Sequence, residues 1–376
     1  MKIAIITLPI HTNIGGILQA YALQTVLRNL GHSVDVVVRP TYMKDYRFYF
    51  LKLLKRSFLC LVSSGCKFKD ILYENRIKRE YSIIGLHTIP FIEKYIKRRV
   101  ISNWHELKYS DYDTIIVGSD QIWRPKYFQD IEQAYLLFAK KWNIKRLTYA
   151  VSFGTNKWEY SKKITRKCLS LSQKFDNISV REDSGVYLCE KYLNVEASHV
   201  LDPTMLLDID CYLQLANSKR KNETVTSKLF VYILDYNKKM QTVIDVVSKH
   251  YSLSPTWANN PYLEREEIAI EKRIALPVEE WLNTMIDSEV VLTDSFHATV
   301  FSILFNKTFW VYLNESRGAD RIKSLLKIFK LEDRLILETK DFNKKKMNGK
   351  IEWDTQNKIL REWKKKSMDY LIYNLK

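Results

Sequence analysis

Residues 1–38 read MKIAIITLPIHTNIGGILQAYALQTVLRNLGHSVDVVV. Ile3–Leu8 is an apolar run broken only by Thr7, the pattern of a strand covered on both faces. Asn13, Gly15 and Gly16 mark a loop, and Ile17–Asn29 carries Leu18, Ala22, Leu23, Val26 and Leu27 on one helical stripe. Gly31 stands where a helix C-cap wants a left-handed residue. Ser33–Val38 is a second strand. Strand, loop, helix and strand in this order open a doubly wound parallel sheet, so the fold class is α/β.

The same grammar recurs downstream. The short apolar runs Thr114–Val117, Leu147–Val151, Asn177–Val180 and His199–Leu201 each stop at a polar or glycine turn. In open α/β sheets ligands bind beyond such carboxyl ends, so these ends point to one shared crevice. Residues 205–228 read as a connection. A second alternation follows: strand Leu229–Leu234, helix Lys239–Tyr251, a helix bearing Trp281–Met285, strand Val290–Thr293, helix Ser295–Leu304 and strand Thr308–Val311. The expected domains are 1–208, with a basic helical insertion at about 41–110, then 209–340. A basic helical segment, 341–376, is expected to pack back on the body.

The chain has 376 residues, 46% hydrophobic and 27% charged, with 10 Gly and 8 Pro. That is a globular composition with enough apolar residues for two cores, and it excludes a disordered or collagen-like chain. Five scattered Cys without a CxxC argue against a disulfide framework or a Cys-rich zinc site and fit a reducing compartment. The opening lysine and apolar run are too short for a secretory signal, and no stretch of about 18 apolar residues follows. A cytoplasmic protein is expected.

Net charge is +17, a field that favours nucleic acid, anionic lipid surfaces or phosphorylated substrates. Residues 41–100 hold 14 Lys and Arg against 5 Asp and Glu. Within them Tyr46–Val62 reads as a basic amphipathic helix, either packed on the sheet or lying on a membrane surface.

Five segments, in order, carry a resemblance. They are Thr12–Gln24 (TNIGGILQAYALQ), Val117–Trp123 (VGSDQIW), Ile178–Glu182 (ISVRE), Val200–Thr204 (VLDPT) and Leu292–Ser302 (LTDSFHATVFS). Together they resemble the polysaccharide pyruvyl transferase family, from Met1 to about residue 335. The resemblance implies two Rossmann-like domains facing each other in a GT-B-like arrangement. It also implies transfer of a pyruvyl group from phosphoenolpyruvate to sugar hydroxyls, commonly as a ketal on a cell-surface polysaccharide or its lipid-diphosphate-linked precursor. Many members carry Arg two residues before the histidine; here that position is Ser295.

Such chemistry needs an anion site, a general acid and a general base. No metal is obligatory, no ligand set with metal spacing is found, and no cofactor is expected. Asn13, Gly15 and Gly16, between a strand and a helix, offer an anion close backbone approach and free N–H groups, or form a plain tight turn. The pattern is not GxGxxG and no P-loop Lys follows. His297, at the start of a helix, is the expected proton donor or phosphate partner, and the alternative is a buried histidine bonded to Asp294 or the backbone. Arg181 can grip carboxylate or phosphate, or pair with Glu182 or Asp183. Arg317 and Arg321 are candidates to replace the cation missing at Ser295. Asp120 is a candidate base or sugar ligand, or a turn cap. Trp123 is a candidate for stacking on a sugar, or core, and His11 a second acceptor candidate. Asp202, before Pro203, reads as a turn residue.

Two other functions compete. A GT-B glycosyltransferase using a nucleotide-sugar would share the architecture, although Val291–Ser302 lacks the Glu pair that retaining members of that group place there. A non-enzymatic nucleic-acid binder would explain the charge, but the basic residues flank the chain's motifs rather than forming a reading head, and no nucleic acid is expected. The basic segments are read as holding the enzyme near the anionic inner face of a membrane, where lipid-linked sugars reside.

Overall fold

A computed structural model describes residues 1–40, 53–58, 73–216, 228–337 and 347–376. Most of the Tyr46–Val62 helix candidate lies outside these residues; 53–58 are helical.

Two parallel sheets form two lobes. The first contains β1 (Lys2–Ile6), β2 (Ser33–Val38), β3 (Arg98–Val100), β4 (Thr114–Asp120), β5 (Lys145–Val151), β6 (Ser179–Val180) and β7 (Ser198–His199). Their spatial order is β3-β2-β1-β4-β5-β6-β7, every pairing parallel. The second contains β8 (Lys228–Tyr232), β9 (Ser254–Trp257), β10 (Val290–Thr293), β11 (Thr308–Tyr312) and β12 (Leu335–Ile336), in the order β12-β11-β10-β8-β9, again all parallel. The chain reverses direction across the first sheet between β1 and β4, and across the second between β8 and β10. Crevices open at such switch points.

The strands form where β-branched residues run together. Ile3, Ile5 and Ile6 are wholly buried, as are Val291 and Leu292. The insertion is not entirely helical. Helices Tyr73–Ile84 and Thr88–Tyr95 are followed by β3, which adds to the sheet edge through Val36–Val38. Arg98, Arg99 and Val100 carry too little apolar pattern to announce a strand; β2 supplies the pairing.

Helix Ile14–Asn29 begins three residues earlier than the sequence suggests, because the Asn13 side chain caps it by accepting from Gly16 N at 3.1 Å. Gly15 and Gly16 therefore lie in its first turn rather than in a preceding loop.

One apolar cluster is continuous from Leu18 and Leu23 in that helix through Met205 and Tyr212 to Phe301 and Phe309 of the second lobe. The rings of Tyr212 and Phe301 meet edge to face at 4.8 Å. The helix Trp353–Asn374 braces both lobes. Gln356 donates to the carbonyl of Phe329 in the second lobe. Further along, Tyr370 donates to Thr148 O and Lys145 donates to Asn374 O in the first. No helix among the described residues is long and apolar enough to cross a membrane.

Candidate functional site

The two switch points face each other across a cleft. Leu8 and Asn13 after β1, Asp120, Gln121 and Tyr127 after β4, Leu234 after β8, and Asp294–His297 after β10 line it, with Arg317 and Arg321 at one side. Each wall is held by hydrogen bonds between adjacent strand ends. In the first lobe Thr7 Oγ1 donates to Ser119 O, and Gln19 both donates to Thr7 Oγ1 and accepts from Ser119 N. In the second lobe Asp294 accepts from the backbone N–H groups of Leu234 and Asp235 at 2.8 and 3.1 Å.

His297 lies in the first turn of helix Phe296–Leu304 and is 6% exposed. Its ring crosses to the first lobe. A Cβ built on Gly15 would sit 2.1 Å from His297 Nδ1, so only glycine admits the imidazole there. Nε2 lies 3.6 Å from Asp202 Oδ2 and has no hydrogen-bond partner. The alternative pairing with Asp294 is not formed; that carboxylate is committed to the loop after β8 and to Asn314.

Asp202 is far more than a turn residue. It is 1% exposed and accepts from Arg181 Nη1 at 2.6 Å, Ser119 Oγ at 3.2 Å, and both Thr204 N and Oγ1. Burial disfavours its charge, but His297 and Arg181 outweigh burial and hold the carboxyl well below its usual range. Sequence reading missed it because an Asp-Pro dipeptide has an ordinary local explanation. Gln19 was missed for a similar reason: it stands in a helical stripe, and only the tertiary fold brings Ser119 to it.

Asp120 has a left-handed backbone, φ 70°, at the end of β4, a conformation that costs about 1 kcal/mol or more for a non-glycine residue. Such outliers concentrate at functional sites. Its Oδ1 accepts from Gln121 N at 2.8 Å and from Arg181 Nη2 at 3.2 Å. Burial opposes its ionisation, and the charges of Arg181, His297 and Arg321 more than compensate, so the carboxyl is depressed.

The arginines differ sharply. Arg181 is 3% exposed and pairs with Asp202 and Asp120, not with Glu182 or Asp183. Its Nη groups are spent on Asp202 and on the cleft-lining Asp120, and Arg181 itself is not among the residues that line the cleft. Arg317 lines the cleft but is bound by Asp235 and Glu264, with Nη2 at 2.7 Å from each. Arg321 is different. Its Nε and Nη2 donate to the carbonyls of Gly318 and Arg317, and Nη1 lies 3.6 Å from Asp120 Oδ1. Burial, then the neighbouring Arg181, lower its pKa to about 10. Arg321 is a buried cation in the cleft whose charge is incompletely neutralised. Ser295 caps nothing with its side chain and borders the same space.

Two acceptor expectations are corrected. Trp123 is fully buried, stacked on Tyr135 at 4.4 Å, and its indole N–H donates to Ala134 O. It is core and presents no face to a sugar. His11 stacks on Tyr81 at 3.4 Å and bonds its carbonyl at 2.8 Å, outside the residues lining the cleft. Burial lowers its pKa to about 4, so the ring is neutral and fastens helix Tyr73–Ile84 to the loop after β1.

Two parallel-sheet lobes with facing switch points define a GT-B-like protein. A structural likeness agrees: the Arabidopsis thaliana UGT89C1 solved with UDP-L-rhamnose aligns over 99% of this chain and 98% of its own, with a TM-score of 0.50 at 11% identity. The UDP-GlcNAc 2-epimerase from Neisseria meningitidis aligns over 100% and 99%, at a TM-score of 0.48 and 11% identity. At that identity the likeness speaks for fold alone. A search of curated proteins returned no match. The chain belongs to the polysaccharide pyruvyl transferase family, whose model matches residues 13–316.

Proposed function

We propose that the protein transfers the pyruvyl group of phosphoenolpyruvate to two hydroxyls of a sugar, forming a ketal and releasing phosphate. The observation that carries this reading is the meeting, in one cleft, of a cross-lobe imidazole, an incompletely neutralised guanidinium and a buried carboxylate: His297, Arg321 and Asp120.

The donor is a small molecule with a carboxylate and a phosphate. Arg321 and the first turn of helix Ile14–Asn29 supply positive potential for it. The reaction adds one proton to the donor's methylene carbon and one sugar oxygen to C2. The second sugar oxygen then displaces phosphate at C2. Of the two hydroxyl protons lost, one balances the new methyl group and the other leaves with phosphate. His297 is the proton donor, and Asp120, ionised by its neighbours, receives a hydroxyl proton or orients the sugar.

The acceptor is a cell-surface polysaccharide or its lipid-diphosphate-linked precursor, met at the anionic inner face of a membrane. The +17 net charge supports that last point. Flotation with anionic and neutral vesicles tests it: preference for anionic vesicles is expected, and equal partition would contradict it.

The enzymatic test is incubation with phosphoenolpyruvate and candidate lipid-linked oligosaccharides. The expected product is heavier by pyruvate less water, and His297→Ala abolishes it in a folded protein. A His297→Ala variant of undiminished rate would remove the imidazole from the chemistry.

A further inference from the structure

We propose that Asp202 is the positioning residue for His297, meeting the imidazole where it enters the first lobe, so that the ring is aligned only when the two lobes are together. The inference deepens the pyruvyl-transfer reading and rests on it for the role of His297.

The two residues stand on different lobes. Asp202 follows β7 of the first sheet, and His297 follows β10 of the second. The imidazole enters the first lobe between the Gly15 turn on its Nδ1 side and Asp202 on its Nε2 side. Nε2 is buried and unbonded, and a buried polar nitrogen without a partner is costly unless something completes it. The Asp202 carboxylate, at 3.6 Å, is one small movement from doing so.

Asp202 is itself immobilised. Arg181, Ser119 and Thr204 fix both its oxygens from three separate segments of the first lobe. An anchored carboxylate behind an imidazole fixes the ring's orientation and tautomer, and a misplacement of about 1 Å costs about 100-fold in rate. Arg181 ties the same carboxylate to Asp120, so both candidate proton-handling groups share one support.

The experiment compares Asp202→Asn, Asp202→Glu and Thr204→Val in the full chain. Thr204→Val removes one anchor of Asp202 without touching the imidazole, and so reports how much that anchor contributes. With phosphoenolpyruvate as donor, Asp202→Asn is expected to lower kcat at least tenfold with donor KM within threefold. Asp202→Glu is expected to restore part of the loss, and Thr204→Val, which leaves the Arg181 and Ser119 anchors in place, to lower kcat less than Asp202→Asn does. Histidine labelled with 15N gives a readout independent of any donor. The His297 ring signals, assigned by their loss in His297→Gln, should shift in Asp202→Asn and shift less in Thr204→Val. Unchanged ring signals in Asp202→Asn would overturn the pairing. Should the wild-type protein not turn over phosphoenolpyruvate, the donor reading fails while the ring signals still decide the role of Asp202.

Discussion

His297 can cross between lobes because the residue opposite it has no side chain. Ala is preferred over Gly in a helix by about 1 kcal/mol, so Gly15→Ala favours the helix it sits in. The new methyl, however, would occupy the imidazole's place, 2.1 Å from Nδ1. Displacing the buried ring costs about 1–3 kcal/mol, more than the helix gains, so the expected result is a folded protein of somewhat lower Tm whose turnover falls about 100-fold. Steady-state kinetics beside a melting curve check this, and retained turnover would show that the ring need not lie there. The arginines separate in the same way. Arg321→Met should raise donor KM at least tenfold, the value of one charge-assisted hydrogen bond. Arg317→Met should leave donor KM within threefold, because Asp235 and Glu264 already occupy that guanidinium. Equal effects on KM from both variants would contradict the assignment.

Among the elements, strands were legible wherever β-branched residues run together. Ser33–Val38 and Val290–Thr293 appear with the bounds their sequences suggest, because both are central enough to be buried on two faces. The edge strand Arg98–Val100 was not legible, since its partner rather than its own pattern makes it a strand. Residues of the glycine and histidine motifs do meet at one cleft, but partners distant in sequence were invisible. Asp202 lies 95 residues from His297 and looked like a local turn. Trp123 looked available because its burial by Tyr135 and Phe153 depends on a later strand end. His11 makes a prediction of its own. Its folded pKa, about 4, lies below the ordinary value of 6.5. Between these values the unfolded chain binds the proton and the folded chain does not. The stability it contributes is therefore present above pH 6.5 and lost as pH falls towards 4. It is on the order of 3 kcal/mol at most. Melting temperatures at pH 7 and 4.5 should drop less in His11→Gln than in wild type; an identical drop would remove His11 as the cause.

Over the molecule as a whole, the lobes meet through close backbone contact as well as side chains. Gly318 has φ 97°, and a Cβ there would lie 2.6 Å from the carbonyl of Gly154 across the cleft. Beside it Asn156 N donates to Asp320 at 2.9 Å and Asp183 N donates to Ser324 Oγ at 3.0 Å. Helix Ala319–Ile328 thus docks on the first lobe and carries Arg321 into the cleft. Gly318→Val should wedge the lobes apart, raising the radius of gyration in small-angle scattering and weakening donor binding together. Tight donor binding by an opened variant would contradict the closed-cleft account. The donor itself is tested most directly by thermal melting of the wild type and Arg321→Met with phosphoenolpyruvate or UDP. A ligand at 100 times its Kd stabilises the folded state by about 2.7 kcal/mol. Phosphoenolpyruvate should raise the wild-type Tm by several degrees, raise that of Arg321→Met far less, and UDP should move neither. A rise with UDP and none with phosphoenolpyruvate would contradict the account.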